Sequence, residues 1–287
     1  MYDQAERLRR QLSFNSSQAK TIAFASGKGG VGKSNTALNF ALELQEHGQS
    51  VLLFDLDIGM GNIDILLGTR SKYTIVDFFT DFTPIHSIIE SGPKGLSYIA
   101  GGASLNDLLQ LSDEKLDYFF QQFDMLVHTY DYIIFDLGAG VTSTMLSFIT
   151  AADECFLITT PEPTAITDAY SLVKQIIIHN NQLPLRLIMN RSRHKKENKQ
   201  SIERFNNVVE QFLHTKVTQS ALLSDDKIVT EAVMQQTPYV LLAPKSTVSK
   251  QLKQIVVEFL SEESNTKQIK KRSFIQKLKQ YLVVQEK

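Results

Sequence analysis

A single cysteine, Cys155, occurs in the 287 residues, and this scarcity excludes several kinds of protein. One cysteine per chain forms no intrachain disulfide, no cysteine-based zinc cage and no iron–sulfur cluster held by several cysteines of the same chain. The sequence therefore argues against an iron–sulfur carrier and fits the reducing cytosol. The six histidines lack the spacing of metal ligands, and positions in the core or on the surface explain them better.

Long apolar segments are also missing from the sequence. No stretch reaches the roughly 18 uncharged apolar residues of a membrane-spanning helix. The N-terminus, MYDQAERLRRQLSF, carries both charges and lacks the apolar run of a signal peptide. We therefore expect a cytoplasmic protein that neither spans a membrane nor leaves the cell by the usual route.

A large excess of one charge is absent too. The 30 Lys and Arg residues oppose 31 Asp and Glu residues, and the net charge of −1 argues against a protein that coats nucleic acid with its whole surface. No nucleic-acid partner is expected. With 43% hydrophobic and 21% charged residues, the chain has enough apolar material for one large α/β domain with appendages.

What the sequence does contain is a regular alternation of short apolar runs and longer helical patterns. This alternation predicts an α/β fold with a mostly parallel twisted sheet flanked by helices. The predicted strands are Thr21–Ser26, Ser50–Asp55, Gly95–Ala100, Tyr132–Asp136, Glu154–Thr159, Leu185–Met189 and Val217–Leu222. The predicted helices include Ser34–His47, Ser112–Val127, Thr164–His179 and Lys195–His214.

The first predicted strand is followed directly by a glycine-rich segment with P-loop spacing, GKGGVGKS. Its glycines allow consecutive backbone N–H groups to surround an anion, and the positive end of the following helix dipole faces the same point. Lys33 then reaches the β- and γ-phosphates, and the Ser34 hydroxyl ligates Mg²⁺. The alternative is a turn that merely joins strand to helix. The predicted nucleotide-binding residues here are Gly27, Lys28, Gly29, Gly30, Val31, Gly32, Lys33, Ser34 and Asn35.

Three carboxylates follow predicted strands at the edge where an open α/β sheet gathers its ligands. Asp55 and Asp57 are two residues apart, so they share a side while the chain stays extended. Asp136 ends the apolar strand YIIFD, the Walker B arrangement, and is predicted to bind Mg²⁺ through water. The glycines after it suit a switch that senses the γ-phosphate, with Gly138 as an amide donor. Capping or turn roles are the alternative for these carboxylates.

The string KGGVGKS, with its second lysine Lys28, resembles the deviant Walker A signature of the MinD/ParA family of P-loop ATPases. The resemblance covers about residues 20 to 285. It implies ATP hydrolysis with Mg²⁺ and a homodimer that closes over ATP, in which Lys28 crosses into the partner subunit's nucleotide site. Lys28, Lys33 and Asp57 are the predicted catalytic residues.

The same resemblance assigns roles to other positions. It places Asp55 in the water shell of the magnesium ion and gives Asp57 the orientation of the attacking water. An Asn at the end of a later strand reads adenine in this family, which makes Asn190, with the adjacent Arg191, a candidate for nucleotide recognition. An ordinary turn residue is the alternative for Asn190.

Charge is segregated towards the C-terminus. Residues 264–287 carry seven basic side chains against one acidic one, a net charge of +6 that leaves −7 for residues 1–263. A basic amphipathic helix of this kind predicts binding to an anionic membrane surface. A final helix packed on the sheet is the alternative, and nucleic acid is a less favoured third. The residues predicted to face the membrane are Phe274, Ile275, Leu278, Tyr281 and Leu282.

The N-terminal string DQAERLR precedes the ATPase core and has helical propensity with little apolar surface of its own. It resembles an element of the flagellar-placement branch of the MinD/ParA family, where it implies docking onto the GTPase FlhF. A frayed terminus is the alternative. The predicted partner-binding residues are Asp3, Gln4, Ala5, Leu8 and Arg9.

These observations predict three parts: a partner-binding segment at 1–20, an ATPase domain at 21–263 and a membrane-targeting helix at 264–287. The expected function is a peripherally membrane-bound ATPase switch that regulates flagellar assembly through FlhF and flagellar switch-ring proteins. A ParA-type DNA partition ATPase or a MinD-type cell-division ATPase is the second expectation. A nucleotide-bound scaffold without useful turnover is the third.

Overall fold

The computed structural model describes residues 18–57, 61–101, 113–265 and 273–283. The predicted partner-binding residues Asp3, Gln4, Ala5, Leu8 and Arg9 lie outside the described residues, and their assignment stays a prediction. Within the described ranges no helix is long and apolar enough to cross a bilayer.

Eight strands form one sheet in the order β3-β4-β2-β5-β1-β6-β7-β8. All neighbouring pairs are parallel except β3 with β4. The strands are β1 Lys20–Ser26, β2 Val51–Leu56, β3 Ile89–Ser91, β4 Ser97–Ile99, β5 Tyr132–Ala139, β6 Glu154–Thr159, β7 Leu185–Ser192 and β8 Val217–Ser224.

Helices cover both faces of the sheet. The α-helices in the described ranges are α1 Lys33–Glu46, α2 Ile63–Leu67, α3 Ile75–Asp81, α4 Asp113–Val127, α5 Ser143–Ala151, α6 Pro163–His179, α7 Lys195–Leu213, α8 Lys227–Met234, α9 Tyr239–Leu242, α10 Thr247–Asn265 and α11 Phe274–Val283.

Two apolar cores lie on opposite faces of the sheet because successive side chains of a strand alternate. In β1, Ala23 and Ala25 pack into the core beneath α4 to α7, whereas Ile22 and Phe24 pack into the core beneath α1, α2 and α10. The central strands are buried on both faces, as expected for a parallel sheet covered by helices. The α/β fold predicted from the sequence is therefore confirmed.

Most predicted elements are present with boundaries shifted by a few residues. Strand β3 was not predicted; it is a three-residue antiparallel strand at the edge of the sheet. Helix α5 was also missed, since all of its residues except Ser143 are buried and it lacks the polar face of an amphipathic pattern. Cys155 in β6 is fully buried, and burial raises the pKa of its thiol.

Helix α11 packs against the core of the ATPase domain. The ring of Phe274 lies 4.9 Å from that of Phe135 and 5.2 Å from that of Phe123, centroid to centroid. Leu278 is fully buried in the same core, and the other apolar residues predicted to face the membrane, Ile275, Tyr281 and Leu282, are partly buried against it. The apolar stripe predicted from the sequence is present, but in this conformation it faces the protein.

Candidate nucleotide-binding site

The predicted site residues lie at one edge of the sheet, where the carboxyl ends of β1, β2, β5, β6 and β7 meet. Parallel strands deliver their C-terminal residues to a common edge, and open α/β sheets bind ligands there. The P-loop follows β1, while Asp55 and Asp136 are directly paired in the register of β2 and β5. The structure therefore brings these parts of the predicted site together.

The P-loop backbone requires glycine for two different reasons. Gly30 and Gly32 have φ values of 77° and 89°, in the left-handed region that disfavours side chains. Gly27 meets a different constraint, because a Cβ at this position would lie 2.3 Å from the backbone of Asp168 in α6. The loop is thus held against α6 at its start and enters α1 through Gly32, the N-cap residue.

Lys33 is almost fully buried beneath this loop. Its ammonium group bonds to one carboxylate oxygen, Oδ1, of Asp136, and lies 3.2 Å from the Ser34 hydroxyl and 3.6 Å from Oδ2 of Asp57. Three groups with predicted roles in phosphate and metal chemistry therefore surround the same cation. The phosphates of a bound nucleotide would replace these groups as partners of the Lys33 ammonium, because P-loop lysines bind phosphates.

The second oxygen of Asp136, Oδ2, is buried and has no hydrogen-bond partner. A buried carboxylate oxygen without a donor is costly, and a metal-bound water or a cation would satisfy it. The Ser34 hydroxyl lies 3.2 Å from the Lys33 ammonium that bonds to Asp136, so the donor set fits Mg²⁺ held by one hydroxyl, water and phosphate oxygens. Among the described residues no group of three His, Cys, Asp or Glu side chains could hold a metal by itself.

Asp55 organises the loop that follows β2. Its Oδ1 accepts the backbone N–H of Asp57 at 2.9 Å, and its Oδ2 accepts those of Asn62 at 2.9 Å and Ile63 at 3.2 Å. Burial and the neighbouring Asp136 raise the pKa of Asp55 to about 7. The carboxylate thus ties down both ends of this loop, and its place in the magnesium water shell stays a prediction.

Asp57 is the carboxylate that faces the open part of the site. It accepts a hydrogen bond from the Asn62 amide at 3.2 Å and its side chain is 21% exposed. Burial raises the pKa of Asp57, and the nearby Lys33 opposes this shift. A Cβ on Gly138 would lie 3.2 Å from Asp57 Oδ1, so the two predicted γ-phosphate residues are adjacent.

Asn190 contacts the P-loop directly. Its amide nitrogen donates to the carbonyl of Val31 at 2.9 Å, and its amide oxygen accepts the backbone N–H of Arg191 at 2.9 Å. Both polar atoms of the side chain are thus engaged within the protein, and Asn190 connects the end of β7 to the phosphate loop. Its reading of adenine stays a prediction.

Lys28 is half-exposed and pairs with residues other than the carboxylates around Lys33. Its ammonium lies 3.0 Å from Oε2 of Glu162 and 3.1 Å from the Thr164 hydroxyl, both at the start of α6. Sequence reasoning missed Glu162 and Thr164, although they come three and five residues after the end of β6, at the edge that supplies the other site residues. Strand-end position was the signal that could have identified them.

Together these groups can bind a nucleoside triphosphate with Mg²⁺ and promote its hydrolysis. The loop and Lys33 would hold the phosphates, and Mg²⁺ would, when bound, supply positive charge at the transferring phosphoryl group. Asp57 is the more exposed of the carboxylates around Lys33, and its orientation of the attacking water stays a prediction. The arrangement requires no covalent intermediate on the protein.

Comparison with known proteins defines the class. The ParA family model, described as a NUBPL iron-transfer P-loop NTPase, matches residues 17–260. The chain therefore belongs to the ParA family of P-loop NTPases, and it is a Mg²⁺-dependent ATPase. The iron transfer in the description of that model is not carried over to this chain, because its only cysteine is buried.

Particular relatives connect the chain to the flagellar branch of the family. The flagellum site-determining protein YlxH of Helicobacter pylori is 33% identical over 93% of this chain and 92% of its own length. The antiactivator FleN of Pseudomonas aeruginosa is 30% identical over 80% of this chain and 82% of its own. The flagellar resemblance, to the FlhG (YlxH) group, is thereby confirmed. The MinD–Mg-ADP structure from Pyrococcus horikoshii shares the fold, with a TM-score of 0.70, 22% identity, and coverage of 88% of this chain and all of that one.

Proposed function

We propose that this ATPase is a monomer–dimer switch that regulates the number and placement of flagella. The observation that carries the dimer is the position of Lys28, which belongs to the P-loop yet is exposed to solvent and paired with the exposed Glu162. A second chain facing this loop would receive the lysine in its own site. The flagellar role is supported by the names of the two relatives, YlxH and FleN.

Hydrolysis in this proposal needs both chains. Lys33 binds the phosphates within one chain, Lys28 arrives from the other, and Asp57 orients the attacking water. The ATP and ADP states then differ in quaternary structure and present different surfaces to partners. The proposed partners are the GTPase FlhF, contacted by residues of the N-terminal segment, and flagellar switch-ring proteins.

Membrane binding is proposed for the ATP state. Helix α5 begins just after the glycines that follow Asp136, and the ring of Phe148 in α5 lies 6.1 Å from that of Phe274 in α11. A γ-phosphate that moves this loop would shift α5 and loosen the docked helix. Two released helices in one dimer bind an anionic membrane better than one, because the second binding event is intramolecular.

Sizing of the full chain tests the switch. We expect a monomer with Mg-ADP and a dimer with a non-hydrolysable ATP analogue, measured by sedimentation velocity. Lys28→Ala is expected to stay monomeric with either nucleotide, and Asp57→Ala to form a dimer that hydrolyses ATP at least about 100-fold more slowly. A wild-type chain that stays monomeric with the analogue would contradict the proposal.

The flagellar role is tested in cells of the organism that carries the gene. Replacement by the Asp57→Ala variant is expected to change the number of flagella per cell, counted by electron microscopy. The MinD-type alternative is favoured by the structural likeness to MinD. It predicts displaced division sites with an unchanged flagellar count. Nucleotide-dependent DNA binding with a steep salt dependence would instead support the ParA-type partition role.

A further inference from the structure

We infer that Asn39 is a positioning residue for nucleotide binding. It fixes the side-chain amide of Asn35 so that the amide N–H, and not the C=O, is offered to the phosphates of the nucleotide. Asn35 is the predicted nucleotide-binding residue that follows Ser34 in the first turn of α1. The inference concerns nucleotide binding within one chain and does not depend on the proposed dimer switch.

Asn39 is fully buried in α1, and two backbone groups determine the orientation of its side chain. Its Oδ1 accepts the N–H of Val240, at the start of α9, at 3.1 Å. Its Nδ2 donates to the backbone carbonyl of Asn35 at 2.7 Å. A backbone N–H only donates and a carbonyl only accepts, so a reversed amide would leave both backbone groups without these partners. The nitrogen of Asn39 therefore lies on the side of Asn35.

This orientation is passed on to the side chain of Asn35. The Nδ2 of Asn39 carries a second hydrogen, which it donates to Oδ1 of Asn35 at 2.7 Å. A reversed Asn35 amide would place one N–H group against another, with no acceptor between the two side chains. Oδ1 of Asn35 is thus engaged, and its Nδ2 remains as a donor that no residue in the described part of the chain accepts from.

The position of Asn35 supplies a ligand for this donor. Gly32 is the N-cap residue of α1, so Asn35 directly follows Lys33 and Ser34, the residues predicted to bind phosphates and Mg²⁺. Asn35 is partly exposed, whereas both of these neighbours are buried. Ionised phosphate oxygens accept hydrogen bonds, so they attract an amide N–H and repel an amide C=O. Asn39 therefore holds the Asn35 amide in the favourable orientation before the nucleotide binds, which lowers the entropy cost of binding.

The test is a double-mutant cycle on the affinity of the full chain for Mg-ADP, measured by isothermal titration calorimetry. Asn35→Ala removes the donor and is expected to weaken binding at least about 10-fold, as for a hydrogen bond to a charged group. Asn39→Ala allows the Asn35 amide to rotate and is expected to weaken binding about threefold. In the Asn35→Ala chain, Asn39→Ala is expected to cause no further loss, because Asn39 then has no amide to orient.

Ser249→Ala is the control for a merely structural role of Asn39. Because Asn39 also contacts α9, its replacement loosens that helix. Ser249 is buried, and its hydroxyl donates to the carbonyl of Tyr239 in α9 at 3.2 Å. Ser249→Ala therefore loosens α9 without removing a bond to Asn35. It is expected to lower the melting temperature, as Asn39→Ala does, and to leave the affinity for ADP unchanged.

Equal losses of affinity from Asn39→Ala in the wild-type and Asn35→Ala chains would overturn the inference. An Asn35→Ala chain that binds ADP as tightly as the wild type would overturn it as well. Should Asn39→Ala not fold, Asn39→Ser, which is smaller than Asn but keeps a hydroxyl, replaces it in the cycle.

A measurement on the wild-type chain needs no replacement of Asn39. The side-chain amide resonances of Asn35 are identified by their absence from the ¹⁵N–¹H spectrum of Asn35→Ala. They are expected to shift when Mg-ADP is added, because the amide hydrogen gains a phosphate acceptor. Resonances that do not respond to saturating Mg-ADP would contradict the role of the Asn35 donor and, with it, that of Asn39.

Discussion

Gly27 and Gly29 occupy the same phosphate loop but differ in what a side chain there would meet. A Cβ at Gly27 would lie 2.3 Å from backbone atoms of α6, whereas the nearest atom to a Cβ at Gly29 is 3.7 Å away. Backbone cannot rotate aside as a flexible side chain can. Gly27→Ala is therefore expected to lower the stability of the nucleotide-free chain by about 2 kcal/mol or more, seen as a lower melting temperature.

Gly29→Ala is the matched control, since it adds the same methyl group to the same loop without a close contact. Its melting temperature is expected to stay near that of the wild type. Equal losses in the two variants would mean that the loop, and not its contact with α6, determines the cost.

Asp55 predicts a pH dependence of stability in the absence of nucleotide and Mg²⁺. Burial and Asp136 raise its pKa to about 7 from an ordinary value of 3.8. Between these values the folded chain holds a proton that the unfolded chain releases, so the free energy of unfolding decreases as the pH rises from about 4 to 7. Melting curves in a metal chelator are expected to show this decrease.

Asp55→Asn removes the ionisable group and is expected to flatten that pH dependence, whatever its effect on absolute stability. Asp81→Asn alters an exposed carboxylate at the end of α3 and serves as the control. Parallel pH curves for wild type and Asp55→Asn would show that another group is responsible.

The chemistry of the site could be predicted from the sequence where it is local. The spacing of the P-loop and the strand-end aspartates indicated a nucleotide site. The length of the loop restricts its conformation, and parallel strands bring the residues at their carboxyl ends to the same edge of the sheet. Strand-end position could have marked Glu162 as a site residue, but its pairing with Lys28 could not be predicted. The two residues are 134 positions apart and meet only because β1 and β6 are neighbours in the sheet.

At the level of elements, the two lysines on the described part of α11 differ in how they are held. Lys277 is largely buried and lies 3.1 Å from Asp153 and 3.3 Å from the carbonyl of Ala152. Lys279 lies 3.7 Å from the exposed Asp117. Both contribute one charge to a helix that is proposed to bind the membrane, but only the ion pair of Lys277 with Asp153 is partly buried.

Lys277→Gln is therefore expected to raise binding to vesicles that contain phosphatidylglycerol when ADP is bound, because the docked helix is loosened. Lys279→Gln is not expected to raise it. With a non-hydrolysable ATP analogue, each variant should bind more weakly than wild type, by about 30-fold, since the dimer loses one basic residue from each of its two helices, at about 1 kcal/mol per residue. Flotation of the full chain with vesicles measures both effects, and identical behaviour of the two variants in ADP would contradict this role of Lys277.

The same helix shows that the sequence can predict an element without predicting what the element packs against. The spacing of Phe274, Ile275, Leu278, Tyr281 and Leu282 correctly predicted a helix with one apolar stripe. A stripe indicates that an apolar partner exists, but it does not distinguish lipid from protein. Helix α5 could not be predicted because it is buried on nearly all sides. Its sequence therefore lacks the periodic alternation of apolar and polar residues that indicates a helix.

At the scale of the whole molecule, one β-strand connects the two regions that the proposed switch must couple. Asp153 pairs with Lys277 of the docked helix and also accepts hydrogen bonds from the backbone and hydroxyl of Thr21 at the start of β1. The other end of β1 leads into the P-loop. Docking of the tail and binding of the nucleotide thus occur at opposite ends of the same central strand.

Burial of Cys155 has a practical consequence for following that coupling. A thiol without solvent access and with a raised pKa forms little thiolate, and the thiolate is the form that reacts with maleimide dyes. A cysteine introduced at the exposed Gln280 of α11 would then be the one readily labelled position in the folded chain. A fluorophore attached there would report when the helix separates from the core of the ATPase domain, and Cys155 would not need to be replaced.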